Sequence, residues 1–437
     1  MNRTFLSIIL GITLLSSGTT KLALAQDSSA IRVNDMDHVI GDVKQALINN
    51  NITTRAAADN LLKGFKAMQV DGIRIPIFAE GLNPNKAMFD YFYDEAVSEG
   101  FSIYANPAEF EGAVRIACGV LKEERCNTLG DNQKSEILIN RIKDFASEYK
   151  SDWIGPFNED GAPGADWTAS QMNNIFASLE GKVNGAGLIG PDVWGIPASI
   201  RVLDQTDIGK NIEVAGTHNL GFHHSSWSEF ITLAKQNNVQ AWDTEVNDFD
   251  KFGTGTRLDA ALNAGVDGLV LYNSWTMISM TDGSVNAEGQ RMMDKYLKFR
   301  TDRTYYIDNP ANRKRIASDG ESDSPYTTAI GTTGPDVEWK FVDKGNGYYH
   351  LDRAAGGSKP RLRSDSTLFA DMQSTSSSGG WASFDITQGF SSDAYHLSLP
   401  SGPTANHRLQ LTDNGEIRMV TNSSQGSWTR FTFTEVE

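Results

Sequence analysis

The chain has 437 residues, 39% of them apolar and 22% charged, with 55 acidic side chains against 39 basic ones and a formal charge of -16. That length exceeds one ordinary domain. The acidic balance argues against nucleic acid and other polyanions as partners, although exported proteins often carry such surfaces for solubility alone.

The N-terminus reads as an export signal over residues 1–25: Asn2-Arg3, an apolar run from Phe5 to Leu15, then Ala23-Leu24-Ala25 before Gln26. Its removal takes away Arg3 and Lys21 and no acid, which moves the charge from -16 to -18. No later run reaches the roughly 20 apolar residues that span a bilayer. A secreted monomer, extracellular or periplasmic, with no membrane partner is expected. Cys118 and Cys126 are the two cysteines, and in an exported chain a local disulfide is the expected state. Neither has a Cys or His neighbour at ligand spacing, and no metal or cofactor is expected.

From Val33 to about Arg300, short apolar strands alternate with amphipathic helical stretches. Strands are expected at His38 to Ile40, Gly72 to Ile77, Phe101 to Asn106, Trp153 onward, Gly187 to Pro191, Ile212 to Asn219, Val239 to Val246 and Gly268 to Trp275. Helices are expected at Thr54 to Met68, Met88 to Ser98, Glu136 to Tyr149, Ala169 to Val183, Trp227 to Asn237, Gly255 to Ala264 and Ala287 to Arg300. The class is therefore α/β, and eight such units over residues 26–302 predict a TIM-like (β/α)8 barrel. An open doubly wound sheet is the alternative, but no Gly-rich phosphate loop follows an early strand.

Residues 303–437 are Gly, Ser, Thr and Asp rich and contain a threefold repeat. Tyr305-Tyr306-Ile307, Tyr348-Tyr349-His350-Leu351 and Tyr395-His396-Leu397 open the units, Arg315, Arg361 and Arg408 sit within them, and Trp339, Trp381 and Trp428 stand near their ends. The period of about forty residues predicts an all-β β-trefoil, which could bind carbohydrate.

Barrel enzymes carry catalytic groups at the C-terminal ends of strands. Polar residues there are Arg74, Asn106, Asn158 with Glu159, His218, Asp243 with Glu245, and Tyr272, Asn273 and Trp275. Cleaving a glycosidic bond takes one carboxylic acid to protonate the leaving oxygen and a second carboxylate to attack or to activate water. Glu159 after the fourth strand and Glu245 on the seventh are the candidates. His218 reads as a sugar-hydroxyl ligand, a structural histidine or, with His223 and His224, a metal ligand, though consecutive histidines on a strand point opposite ways. Asp160 and His224 join the candidate substrate contacts. Trp167, Trp194 and Trp242 are candidate stacking platforms for sugar rings, and each could equally be core.

This set resembles the superfamily of retaining barrel glycosidases, in which a fourth-strand Asn-Glu supplies the acid/base and a seventh-strand Glu the nucleophile. The resemblance implies that Arg74 binds the nucleophile, that Asn158 contacts the sugar 2-hydroxyl and that Trp275 is the aromatic ending the eighth strand. At finer grain, Ser151 to Gly164, Val214 to Trp227 and Trp242 to Asp250 are similar to the small bacterial β-agarase family numbered 118 among glycoside hydrolases. That likeness implies endo-cleavage of β-1,4 linkages in agarose to neoagaro-oligosaccharides. It also implies inversion, which conflicts with the strand-four and strand-seven pattern. Under inversion Asp243, Asp160 or a more distant Glu245 would activate water. Another galactan, a glucan or an algal polysaccharide is the alternative substrate, and a non-catalytic carbohydrate-binding protein the alternative function.

Overall fold

Eight parallel strands close on themselves in sequence order: β1 (His38–Asp42), β2 (Gly72–Ile77), β3 (Ser102–Pro107), β4 (Trp153–Ile154), β5 (Gly187–Pro191), β6 (Val214–Thr217), β7 (Gln240–Val246) and β8 (Gly268–Leu271). The molecule is seen in a computed structural model that describes residues 32–33, 36–248, 255–297, 299–345, 348–388, 394–401, 405–424 and 426–436. The expected export signal lies outside these residues, as do Phe249 and Asp250 of the third agarase-like segment. Among the described residues, no helix is long and apolar enough to cross a membrane.

Period-two alternation builds the barrel interior. Its lower layer is Ile40, Tyr104, Trp153, Ile189, Val214, Trp242 and Val270, all buried against one another. Small residues make room for the indoles: a Cβ on Gly268 would lie 2.6 Å from the Trp242 ring. Two residues further along β1, β2, β3, β7 and β8 the inward positions turn polar, with Asp42, Arg74, Asn106, Thr244 and Tyr272, whereas the other three strands carry Gly155, Pro191 and Gly216 there. Sequence alternation thus places a charged layer on top of an apolar plug.

The surrounding helices bury apolar stripes on the outside of the sheet. Helix Arg55–Ala67 starts where the Thr54 hydroxyl accepts the Ala57 N–H, and it buries Leu61, Leu62 and Phe65. Three helices were not expected: Lys44–Ile48, Gly112–Cys118 and Ile196–Gln205. The first two span two turns or fewer, too little for periodicity to register. Cys118 and Cys126 form a disulfide just after the second of these.

The fourth strand is shorter than its apolar run suggests. Pro156 cannot donate to the ladder, so pairing ends at Ile154, and Asn158-Glu159 stands on the loop beyond. The eighth strand likewise stops at Leu271, and Trp275 lies in a one-turn helix, Ser274–Met277.

Among the described residues, the C-terminal region is an antiparallel β domain of twelve strands: β9 (Tyr305–Asn309), β10 (Lys314–Ala317), β11 (Tyr326–Ala329), β12 (Trp339–Gly345), β13 (Tyr348–Arg353), β14 (Arg361–Ser364), β15 (Ala370–Gln373), β16 (Asp385–Gln388), β17 (Tyr395–Leu399), β18 (His407–Leu411), β19 (Ile417–Thr421) and β20 (Thr432–Glu435). They fall into three successive groups of four. Phe299, which follows the last barrel helix, lies in this second core with its ring 4.8–5.8 Å from those of Tyr305, Phe341, Tyr395 and Phe433.

Candidate active site

Arg74 on β2 is the hub of the polar layer. It is fully buried, and its three nitrogens reach three elements: Nε donates to Asn106 Oδ1 at 3.1 Å, Nη1 to Glu245 Oε2 at 3.1 Å and Nη2 to Asn158 Oδ1 at 2.6 Å. Only a planar fork can serve all three at once. Asp42 on β1 stands 3.9 Å from Nη1. Burial alone would lower the guanidinium's pKa, but the carboxylates of Asp42 and Glu245 reverse that and raise it.

Glu245 reaches Arg74 because β7 is irregular. Its register against β8 shifts between Asp243 and Val246, so Thr244 and Glu245 no longer alternate cleanly, and Glu245 joins the inward groups. Burial pushes its carboxyl up, yet His218, Arg74 and Lys44 together outweigh burial and hold it well below the ordinary carboxylate range. Glu245 is therefore an ionised, oriented carboxylate.

His218 follows β6 and bridges three acids. Its Nε2 lies 3.2 Å from Asp192 Oδ1, and its Nδ1 is 3.6 Å from Glu159 Oε1 and 3.7 Å from Glu245 Oε2. Burial disfavours its charge, but Glu245 and Asp192 overcome this and push it up to about 10. One ligand atom each from Glu159, His218 and Glu245 lie within 4.8 Å of one another, a spacing that a cation could bridge.

Asp192, after β5, anchors this histidine. Tyr104 Oη donates to its Oδ2 at 2.6 Å and Asn106 Nδ2 at 3.0 Å, while the Thr244 hydroxyl donates to Oδ1. Burial raises its pKa, but His218 and Arg74 more than cancel this and hold it far below the usual range. Lys44, also buried, donates from Nζ to Asn158 Oδ1 at 2.7 Å. Burial and the neighbouring Arg74 lower Lys44 to about 8.

Glu159 is the most open of these acids, with 16% of its side chain exposed against 5% for Glu245. Its φ of +58° lies in the left-handed region, uncommon for a side chain of this size. The turn is pinned on both sides: Glu159 N donates to Asp192 O at 3.1 Å, and Gly112 N donates to Asn158 O at 3.0 Å. The loop therefore holds a carboxylate over the mouth, above its buried partner.

No protein-family model matches the chain, and no curated protein matches it. Solved structures that share a local likeness include "SeviL bound to asialo-GM1 saccharide" (16% identity, 31% of this chain and 98% of that one, TM-score 0.25) and "BEL beta-trefoil" (12%, 31% and 94%, 0.27). A third is an endo-β-galactosidase from Clostridium perfringens that releases GlcNAcα1-4Gal (15%, 33% and 34%, 0.27). Scores this low carry no weight for the fold or for the site.

The expected site residues divide by burial. Arg74, Asn106, Asn158, Glu159, His218 and Glu245 converge, but only Glu159 opens appreciably to solvent. Asn106 is corrected as a sugar ligand, and Asn158 keeps a single amide N–H for that role. The Oδ1 of Asn158 accepts from Arg74, Lys44 and Asn106 and its Nδ2 donates to Glu109 O, which leaves one amide N–H uncommitted on an almost wholly buried side chain. Asn106 is likewise fully buried and committed to Arg74, Asn158 and Asp192.

Asp160 turns away from the mouth, accepting from the backbone of Asn158, Ala113 and Val114 and from the Trp167 indole. Burial pushes it up to about 7. Trp167 is thereby a buried loop anchor against Phe157 and no platform. Trp242 belongs to the apolar plug, its ring 5.0 Å from that of Trp153. Asp243 is buried, with Oδ1 on the Glu245 N–H and Oδ2 without a hydrogen bond, and burial moves it up to about 7. With no solvent access it cannot present a water to a sugar.

His224 lines a cleft of about 850 Å³ between helices Trp227–Gln236 and Arg257–Ala264, away from the converging set. Trp275 is half-buried, its indole N–H on Asn273 Oδ1 at 3.1 Å. Tyr272, just past β8, lies near the carboxylates: burial, Glu245 and Asp42 raise its hydroxyl to about 12. Trp194 alone of the three candidate platforms is exposed, at 43%, with its backbone N–H on Asp160 O at 3.0 Å. Asp42, Lys44, Tyr104 and Asp192 escaped the sequence reading. Asp42 and Lys44 could have been found from inward alternation after Ile40, whereas Asp192 stands in a loop with no periodic signal.

Proposed function

We propose that this protein is an endo-acting glycoside hydrolase that cleaves with retention of configuration. The observation that carries the reading is the Glu159–Glu245 pair, whose nearest oxygens lie within 4.8 Å of each other. Retaining glycosidases hold their carboxyl groups about 5 to 5.5 Å apart, whereas inverting ones leave about 6.5 to 9.5 Å for a water.

In the first step Glu159 gives its proton to the glycosidic oxygen as Glu245 attacks the anomeric carbon. The C–O bond of the leaving sugar breaks and a glycosyl ester to Glu245 forms. In the second step Glu159, now a carboxylate, takes a proton from water, the oxygen of that water attacks the same carbon, and the ester bond breaks. Arg74 keeps Glu245 ionised and aimed, and the His218 imidazolium stabilises the charge left on Glu159 after proton transfer. Trp194 at the rim offers a ring face to a sugar unit.

A neutral galactan of the agarose type is the substrate class, on the resemblance of three segments to a β-agarase family. That family inverts configuration, and the close approach of one Glu159 oxygen to one of Glu245 supports reading retention instead. Its three groups of four strands support reading the C-terminal domain as a β-trefoil that binds saccharide.

The test is NMR of the anomer first formed from a defined agaro-oligosaccharide. A β-anomer that later equilibrates is expected. An α-anomer would replace retention with inversion, and near-wild-type turnover by Glu159→Gln would end the assignment of Glu159. A panel of galactans and glucans identifies another substrate if agarose yields no new reducing ends.

A further inference from the structure

The three units of the C-terminal domain each place an arginine opposite the same strand position. In the first, Arg315 pairs with Asp308, Nε to Oδ1 at 2.6 Å and Nη2 to Oδ2 at 2.8 Å. In the second, Arg361 pairs with Asp352 in the same fork, both contacts at 2.8 Å. The remaining Nη1 of each arginine donates to backbone carbonyls, Thr332 in one case and Thr375 and Ser377 in the other.

The third unit breaks this rule. Arg408 stands opposite Ser398, where the repeat has an aspartate. Arg408 is only 8% exposed and Ser398 5%, yet Arg408 Nε and Nη1 have no hydrogen-bond partner. Burial alone lowers the guanidinium's pKa, with no acid opposing it. Nearby His396 feels both Arg408 and Arg430 as repelling charges, and its Nδ1 is occupied by Thr429 O at 2.8 Å. A buried cation that lacks its carboxylate is costly to maintain, and serine in place of aspartate vacates the volume of a carboxylate.

We propose that Arg408 and Ser398 form a binding site for a small oxyanion group, the carboxylate or sulfate substituent of an acidic saccharide. The fork of Arg408 takes two oxygens, as its counterparts do in the other units, and the Ser398 hydroxyl donates a further hydrogen bond. This assignment is independent of catalysis in the barrel. It gives an otherwise acidic molecule one lobe suited to a negatively charged unit.

The experiment is thermal unfolding of the full chain against inorganic sulfate at fixed ionic strength, in wild type, Ser398→Asp and Arg408→Gln. Ser398→Asp restores the pair of the other two units, so its fold is preserved and it controls for general salt effects. Wild type is expected to show a saturable rise of about 3 °C that both variants lack. Equal rises in wild type and Ser398→Asp, or no saturable rise in wild type, would overturn the site. A second arm compares a sulfated with a neutral galacto-oligosaccharide by calorimetric titration. Stronger binding of the sulfated sugar, abolished in Ser398→Asp, assigns a saccharide ligand. Response to inorganic sulfate alone restricts the site to free anions and overturns the saccharide assignment.

Discussion

Nη1 of Arg74 lies 3.1 Å from Oε2 of Glu245, with 0% and 5% of the two side chains exposed. Because the pair is buried, its attraction is little screened, while leaving either charge alone there is costly. Arg74→Met removes the guanidinium but not the burial that pushes the Glu245 carboxyl up. The acid limb of kcat/KM should therefore move to higher pH. The sign for stability agrees: a depressed carboxylate contributes stability above its unfolded pKa and loses it as pH falls through the folded value. In the variant that loss begins at higher pH, on top of about 3–5 kcal/mol for breaking a buried pair. Arg74→Lys should recover part of the stability but little rate, since an ammonium cannot serve Glu245, Asn106 and Asn158 together. A pH–rate profile and denaturant titration check both. An unmoved acid limb in Arg74→Met would refute the coupling.

Glu245→Gln keeps the size of the side chain and removes its charge. Turnover should drop by about a thousandfold or more. In Glu245→Ala, added azide should restore cleavage and give a glycosyl azide of inverted configuration, detectable by mass spectrometry and NMR. Failure of azide under conditions where the variant is folded counts against a nucleophilic role.

His218 is pushed up to about 10 by Glu245 and Asp192 against the cost of burial. A raised histidine contributes stability that is complete below about pH 6.5, its unfolded value, and is lost as pH rises toward the folded one. The melting temperature of wild type should fall between about pH 7 and 10, and His218→Gln should flatten that slope while lowering Tm near neutrality. Parallel slopes in the two proteins would show that other groups set the alkaline limb.

The barrel was legible because its strands carry strong apolar runs, and as polar residues ending those runs Arg74, His218 and Glu245 stood out. Two short helices, Lys44–Ile48 and Gly112–Cys118, gave too few turns to be read, and Pro156 ended β4 before Asn158. Asp192 was illegible for a different reason. It stands after β5 at φ +52°, and its partners Tyr104, Thr244 and His218 come from β3, β7 and the end of the neighbouring β6. Burial was the property that sequence conveyed least well. Asn106 looks like a sugar ligand at the mouth, but its amide is consumed by Arg74, Asn158 and Asp192.

Two tryptophans that look alike in sequence separate this point experimentally. Trp167 and Trp194 both follow barrel strands in Gly/Pro-rich loops, yet Trp167 is fully buried and Trp194 is 43% exposed. Trp167 donates its indole N–H to Asp160 at 3.1 Å and so ties down the loop that carries Glu159. Trp167→Ala should cost about 3–5 kcal/mol of stability from the cavity alone, and it should lower kcat as the loop loosens. Trp194→Ala removes no core, so Tm should stay near wild type. Stacking of a sugar on an aromatic face is worth about 1 kcal/mol, so KM for polymer should rise about fivefold to tenfold with kcat little changed. Steady-state kinetics on soluble polymer with matched melting curves separate the two effects. A Trp194→Ala variant with unchanged KM would remove it as a platform, and a Trp167→Ala variant of wild-type stability would show that the loop holds Glu159 without it.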